Sequence, residues 1–396
     1  MPEDERLRRY AELAVRVGAN VGEGQYVLVD GFVDQAPLAR ALTEAAYDAG
    51  ARFVDVRYGD LHVRRTMIEK APEETLRFSP PWMVQRLKDA GAEEAAQIMI
   101  SGRPMPELFA GLDQGRLGRA QQVAFNEAHM NNINSRAINW TIIAWPDEAW
   151  SEALYGEPDL ERLWAELATA VRLDEDDPVA AWRAHVDRLE ERAAVLNDAR
   201  FDAIRLEGPG TDLTIGLLRS SRWRTAGAQT RSGRRHVVNL PTEEVFTSPD
   251  PARTEGVVRA TKPLALQGTI VNDLELRFEG GRIVDANADL VRGEVATDEG
   301  ATRLGEIALV DGTSAVGRLG TVFLNTLFDE NAATHIAYGA GFPYCAEGDD
   351  ASRVNESSVH TDVMVGSADV NVFGVTTDGA AVPIIVRNEW QLRRSS

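Results

Sequence analysis

The chain has 396 residues, with 62 acidic against 42 basic side chains, a formal net charge of −20 and a single cysteine, Cys345. So large an acidic surplus excludes nucleic acid and anionic membrane surfaces as partners, because either needs basic patches, while small cationic or zwitterionic substrates stay compatible. One cysteine excludes a disulfide framework or a cysteine zinc cluster; with no run of about 18 apolar residues and a charged amphipathic N-terminus, the expectation is a soluble cytoplasmic protein.

The length predicts two domains. Leu7, Tyr10, Ala11, Leu13, Ala14 and Val17 recur at helical spacing, so the chain opens on a helix, with Gly18 as its C-cap. YVLVD at 26–30 reads as a buried strand, Ala36 to Tyr47 as a helix, and ARFVDVRY at 51–58 as a second strand. The alternation continues through a helix near 82–90, a strand at 97–101, a helix near 106–133 and a strand at 140–145. This rhythm predicts a mostly parallel sheet flanked by helices, and the lack of a glycine-rich fingerprint argues against a dinucleotide. Residues 146–199 are helical, with a carboxylate cap and proline at Asp176-Asp177-Pro178. In that segment His185 reads as a packing or surface residue, as do His62 and His129.

From 200 onward short alternating segments separated by glycine predict a mixed or antiparallel α+β domain, with turns at GPGTDL (208–213) and EGGRI (279–283). The expected division is an α/β domain over 1–185 and a catalytic domain over 186–396. Within the second region Glu244, Glu306, His335, His360 and Asp362 lie at the ends of apolar runs. His360 and Asp362 are two residues apart, which in a strand puts both on one face. Glu306 begins an apolar run, where a lone buried carboxylate is costly unless paired. Two imidazoles and three carboxylates suit two divalent metals bridged by a carboxylate, able to activate a water and polarise a carbonyl. The residues alone thus point to a dinuclear hydrolase.

NLPTEEVFTSPD (239–250), GVVRATKPL (256–264), TDEGATRLGEIALV (297–310), LFDENAATHIAYG (327–339) and NESSVHTDVMVGS (355–367) together resemble blocks of the M29 family of metalloaminopeptidases. NWTIIAWPDEAW (139–150), DPVAAWRAHVDRL (177–189) and GPGTDLTIGL (208–217) extend the likeness over nearly the whole chain. The resemblance implies a homodimer that releases N-terminal residues from small peptides using two divalent ions, Zn²⁺, Co²⁺ or Mn²⁺. Block by block, it implies Glu306 as the bridge, Glu244, His335, His360 and Asp362 as the other ligands, and Glu243 as the general base or a supporting partner beside Glu244. The expected pairing puts Glu244 and His335 in one metal shell and His360 and Asp362 in the other.

One position departs from the pattern. The family usually carries a tyrosine seven residues after the first histidine, and this chain has Phe342, which cannot donate a hydrogen bond. Loss of a donor to a transition-state oxygen costs on the order of 100-fold or more in rate. Tyr338 and Tyr344 are nearby substitutes, and Tyr344 is preferred because in a strand it would share the face of Phe342. Phe342 also motivates three alternatives: a same-fold metal hydrolase of non-peptide amides, a weakened peptidase, or a silent relative kept as a binding module.

Overall fold

The structure, a computed structural model, describes residues 3–102, 106–109, 111–266 and 269–394. The chain forms two compact units. One comprises residues up to Arg183 with Gly227–Leu240, and the other Ala184–Ala226 with Pro241 onward.

In the first unit the βαβ rhythm becomes a five-stranded sheet in the order Asn239–Leu240, Asn139–Ala144, Ala96–Ser101, Tyr26–Phe32, Phe53–Gly59, with every pairing parallel. Its central strands are apolar because helices cover them. Leu28 packs on Leu87 and Ala90 of helix Pro81–Ala92 and on Ala128 of helix Val123–Asn134. The single helix expected near 106–133 is instead three, Pro106–Phe109, Gln114–Arg119 and Val123–Asn134. Gly111 takes a positive φ and the Asp113 carboxylate caps the second segment through the Arg116 amide, which starts a new helix there. Residue 110, inside the expected helix, lies outside the described residues. No helix among the described residues is long and apolar enough to cross a membrane.

The second unit holds an eight-stranded and a five-stranded sheet, and every pairing within them is antiparallel. The EGGRI signal is the hairpin turn between strands Glu275–Glu279 and Arg282–Ala286, where Gly280 and Gly281 both take positive φ. The five-stranded sheet runs in the order His360–Met364, His335–Gly339, Leu304–Leu309, Val245–Thr247, Arg224–Thr225. One face of this sheet, carrying Val245, Ile307, Leu309, Ile336, Tyr338 and Val363, joins Leu206, Leu213, Ile215, Val258 and Val372 of the larger sheet in one core. The opposite face carries the chemistry.

Candidate metal centre

Strand alternation sorts the side chains. His335 and Ala337 alternate with the core residues Ile336 and Tyr338, and His360 and Asp362 alternate with Thr361 and Val363, so the two histidines and Asp362 share the outer face. Glu306 reaches that face through an irregularity. Leu304 pairs with Tyr338 and Glu306 with Ala337, so two residues on one strand oppose one on the other. This bulge lets Leu304 point into the core and Glu306 out of it. It needs glycine at 305, since a Cβ there would lie 2.2 Å from the Ala340 carbonyl oxygen. Glu243 and Glu244 lie just before strand Val245–Thr247 and are 3% and 7% exposed.

The two histidines are oriented alike. His335 Nδ1 donates to the Ala333 carbonyl (3.2 Å) and His360 Nδ1 to the Ala340 carbonyl (2.7 Å), because a carbonyl oxygen has no proton to give. Each Nε2 is thereby turned toward carboxylates. His335 Nε2 is 3.4 Å from Glu244 and 3.9 Å from Asp362, and His360 Nε2 is 3.3 Å from Glu306 and 3.5 Å from Asp362. Two groups result in which all ligand atoms lie within 4.8 Å of one another: Glu244, Glu306 and His335, and Glu306, His360 and Asp362. Glu306 belongs to both.

The electrostatics are those of crowded acid. Burial, then the charges of Glu306, Glu330 and Asp362, hold the Glu244 carboxyl far above the ordinary range. Glu330 is raised in the same way, by burial and by Asp362 and Glu306. Burial opposes a charge on His360, yet Asp362 and Glu306 pull its pKa up to about 11. Burial likewise disfavours ionised Asp362, but His360 outweighs it and the pKa falls. Divalent cations fit this donor set on two counts. Two Nε2 atoms face carboxylate oxygens, and four carboxylates crowd two imidazoles, so a cation relieves repulsion that otherwise only protons can relieve.

Sequence reasoning missed two neighbours of the site. Glu330 is one, although it sits five residues before His335 in the same block. The other is His185, read from sequence as packing or surface; it is buried, and its Nε2 lies 3.5 Å from Glu243. The signal was available in the spacing of His185, Arg188 and Arg192 at i, i+3 and i+7, one stripe of the helix Pro178–Ala199.

The aromatic side of the site differs in detail from expectation. Pro343–Cys345 is a turn of 3₁₀ helix and not a strand, consistent with the φ that Pro343 fixes. Phe342 and Tyr344 nonetheless lie together because their rings stack, with centroids 5.5 Å apart. Phe342 also meets Phe246 edge-on at 5.5 Å and lies 5.4 Å from the His360 ring. The Tyr344 side chain is exposed. Tyr338 lies on the core face, where its hydroxyl donates to Glu294 (2.5 Å), so it does not share the face of the histidines.

The family model of the thermophilic metalloproteases (M29) matches residues 3–390. The chain is 42% identical to aminopeptidase T of Thermus aquaticus and 37% identical to aminopeptidase AmpS of Bacillus subtilis, each over 98% of both chains. The solved structure of wild-type AmpT from Thermus thermophilus superposes with a TM-score of 0.90 at 39% identity, covering 98% of this chain and 100% of the other. The chain therefore belongs to M29, the family of thermophilic metalloproteases.

Proposed function

We propose that this protein is a metal-dependent aminopeptidase that releases N-terminal residues from small peptides, and that Glu244, Glu306, His335, His360 and Asp362 would hold two divalent ions, with Glu306 common to both groups of ligands. The observation that carries the reading is the pair of three-residue groups sharing that one carboxylate. Glu244 and His335 complete one group, and His360 and Asp362 the other. Bound there, the ions supply Lewis-acid activation of a water and of the scissile carbonyl. Mixed carboxylate and imidazole donors suit Zn²⁺, Co²⁺ and Mn²⁺ alike.

The side chains supply the rest. Glu243 is the proton carrier, taking a proton from the attacking water and handing it to the leaving amine. Its backbone amide donates to Asn331 Oδ1 (2.7 Å), and its Oε1 accepts from the Ala315 amide (3.2 Å), so a buried carboxylate is held at a fixed angle. The excess of carboxylates, Glu330 included, draws the cationic N-terminus of the substrate, which favours cleavage at the chain end. Phe246, Phe342 and Tyr344 form an aromatic wall beside His360, and the Tyr344 hydroxyl is a candidate donor on that side. A cytoplasmic homodimer completes the reading. Light scattering of the purified protein checks the subunit count.

Hydrolysis of leucyl-amide and short-peptide substrates before and after exhaustive chelation tests the proposal. Activity is expected to vanish, to return with Zn²⁺, Co²⁺ or Mn²⁺, and to be absent on N-acetylated substrates. Equal turnover after chelation would overturn it. A second reading, hydrolysis of a non-peptide amide, is favoured only by the missing hydroxyl at Phe342, and faster turnover of acylated amines than of peptides would select it.

A further inference from the structure

His185 and Arg188 lie outside the ligand set and the aromatic wall, yet they form a chain that runs from an exposed guanidinium through a buried imidazole to Glu243. His185 is 2% exposed. Arg188 Nη2 sits 2.6 Å from His185 Nδ1, and a guanidinium can only donate, so Nδ1 carries the lone pair and the proton is on Nε2. That N–H donates to the Thr242 carbonyl at 2.8 Å and lies 3.5 Å from Glu243 Oε2. The imidazole therefore grips the peptide unit just before Glu243 and flanks one carboxylate oxygen, while the Ala315 amide donates to the other at 3.2 Å. One turn further along the same helix, Arg192 pairs with Asp311 at 2.5 Å, which anchors the helix to the end of the Glu306 strand.

We propose that His185 is a positioning residue for Glu243, with its tautomer set by Arg188, and that it holds the carboxylate where a proton can pass between water and the leaving amine. The inference rests on the reading of Glu243 as the proton carrier. It assigns His185 no bond to a metal and no contact with substrate. A neutral Nε2–H donor steadies the carboxylate without the full charge that would suppress its basicity. In the opposite tautomer Nε2 would present a lone pair to both the Thr242 carbonyl and Glu243, and the arrangement would open.

The test compares His185→Ala, His185→Gln, Arg188→Met and Glu243→Gln, with metal content and thermal unfolding measured for each. His185→Ala is expected to lower kcat on a leucyl-amide substrate on the order of 10- to 100-fold, as loss of an orienting partner does, at unchanged metal content and with KM within about twofold. His185→Gln keeps an N–H donor of similar reach and should restore most of the loss. Arg188→Met frees the tautomer and should lower kcat by less than His185→Ala. On the Glu243→Gln background His185→Ala should cost nothing further, because the group it positions is already gone. Equal kcat in His185→Ala and wild type, no recovery in His185→Gln, or a full further loss on the Glu243→Gln background would each overturn the proposal. Should Glu243→Gln itself keep wild-type kcat, the reading of Glu243 fails whatever the His185 variants do.

Discussion

Each unit brings acids close together, and the two clusters are neutralised differently. In the first, Asp30 is met by Arg86 at 3.0 Å, by Arg57 at 2.9 Å and by the Gln97 amide at 2.7 Å, and Asp55 by Arg86 at 2.6 Å. Burial works against the Arg86 guanidinium, but Asp30 and Asp55 raise its pKa. In the second, the ion-pair partners found for Glu244, Glu306 and Asp362 are imidazoles, and Glu244 and Glu330 are pushed toward holding protons. Acids brought together with fixed cations are architecture, because the protein supplies the countercharge. Acids crowded around two imidazoles whose Nδ1 atoms are tied to carbonyls are a place for a cation from solution.

The comparison breaks most visibly on substitution. Glu306→Gln should lower peptidase activity on the order of 100- to 1000-fold and reduce the bound metal, read by turnover and elemental analysis. The same change in metal-free protein should leave stability nearly unchanged, because relief of the repulsion on Glu244 and Glu330 is offset by loss of the pair with His360. In the first unit the outcome differs. Arg86→Met leaves Asp30 and Asp55 short of a cation and should destabilise the protein by roughly 3 kcal/mol in denaturant titrations. If Glu306→Gln destabilised the metal-free protein as much as Arg86→Met does, the distinction between the clusters would be lost.

Smaller effects sharpen it. Phe342→Tyr should raise kcat by about tenfold if a missing donor limits the reaction, less than the full value of one such donor because Tyr344 stacks beside it. An unchanged rate would mean that the ring at 342 only packs. The weakest effect is a pH trend. Glu244, Glu330 and His360 all bind protons more tightly when folded, so their contribution to the stability of metal-free protein is fully present at low pH and is lost as pH rises, with the His360 share leaving between 6.5 and about 11. Metal-bound protein should lack that decline, which paired unfolding curves across pH would reveal.

Much of this was legible in the sequence, for physical reasons. Helix and strand periods marked the parallel first sheet and the antiparallel strands after residue 200, because burial of one face leaves a period in the chain. The His-x-Asp pair was readable because two strand residues at that spacing must share a face. Long-range placement was not. Nothing local reveals that Gly227–Leu240 returns to add strand Asn239–Leu240 to the first sheet, since a two-residue pairing carries no period. The Gly305 bulge that turns Glu306 outward, and the meeting of His185 with Glu243 across 58 positions, exist only once the strands pair. The Phe342–Tyr344 contact was anticipated for a reason that does not apply: a proline turn and ring stacking bring the two together, and strand alternation does not.

Anomalous diffraction from crystals soaked in Zn²⁺ or Co²⁺ tests the central claim most directly. The account predicts two peaks per chain a few ångströms apart on either side of the Glu306 carboxylate, one beside Glu244 and His335 and the other beside His360 and Asp362. A single peak, or peaks away from Glu306, would contradict it.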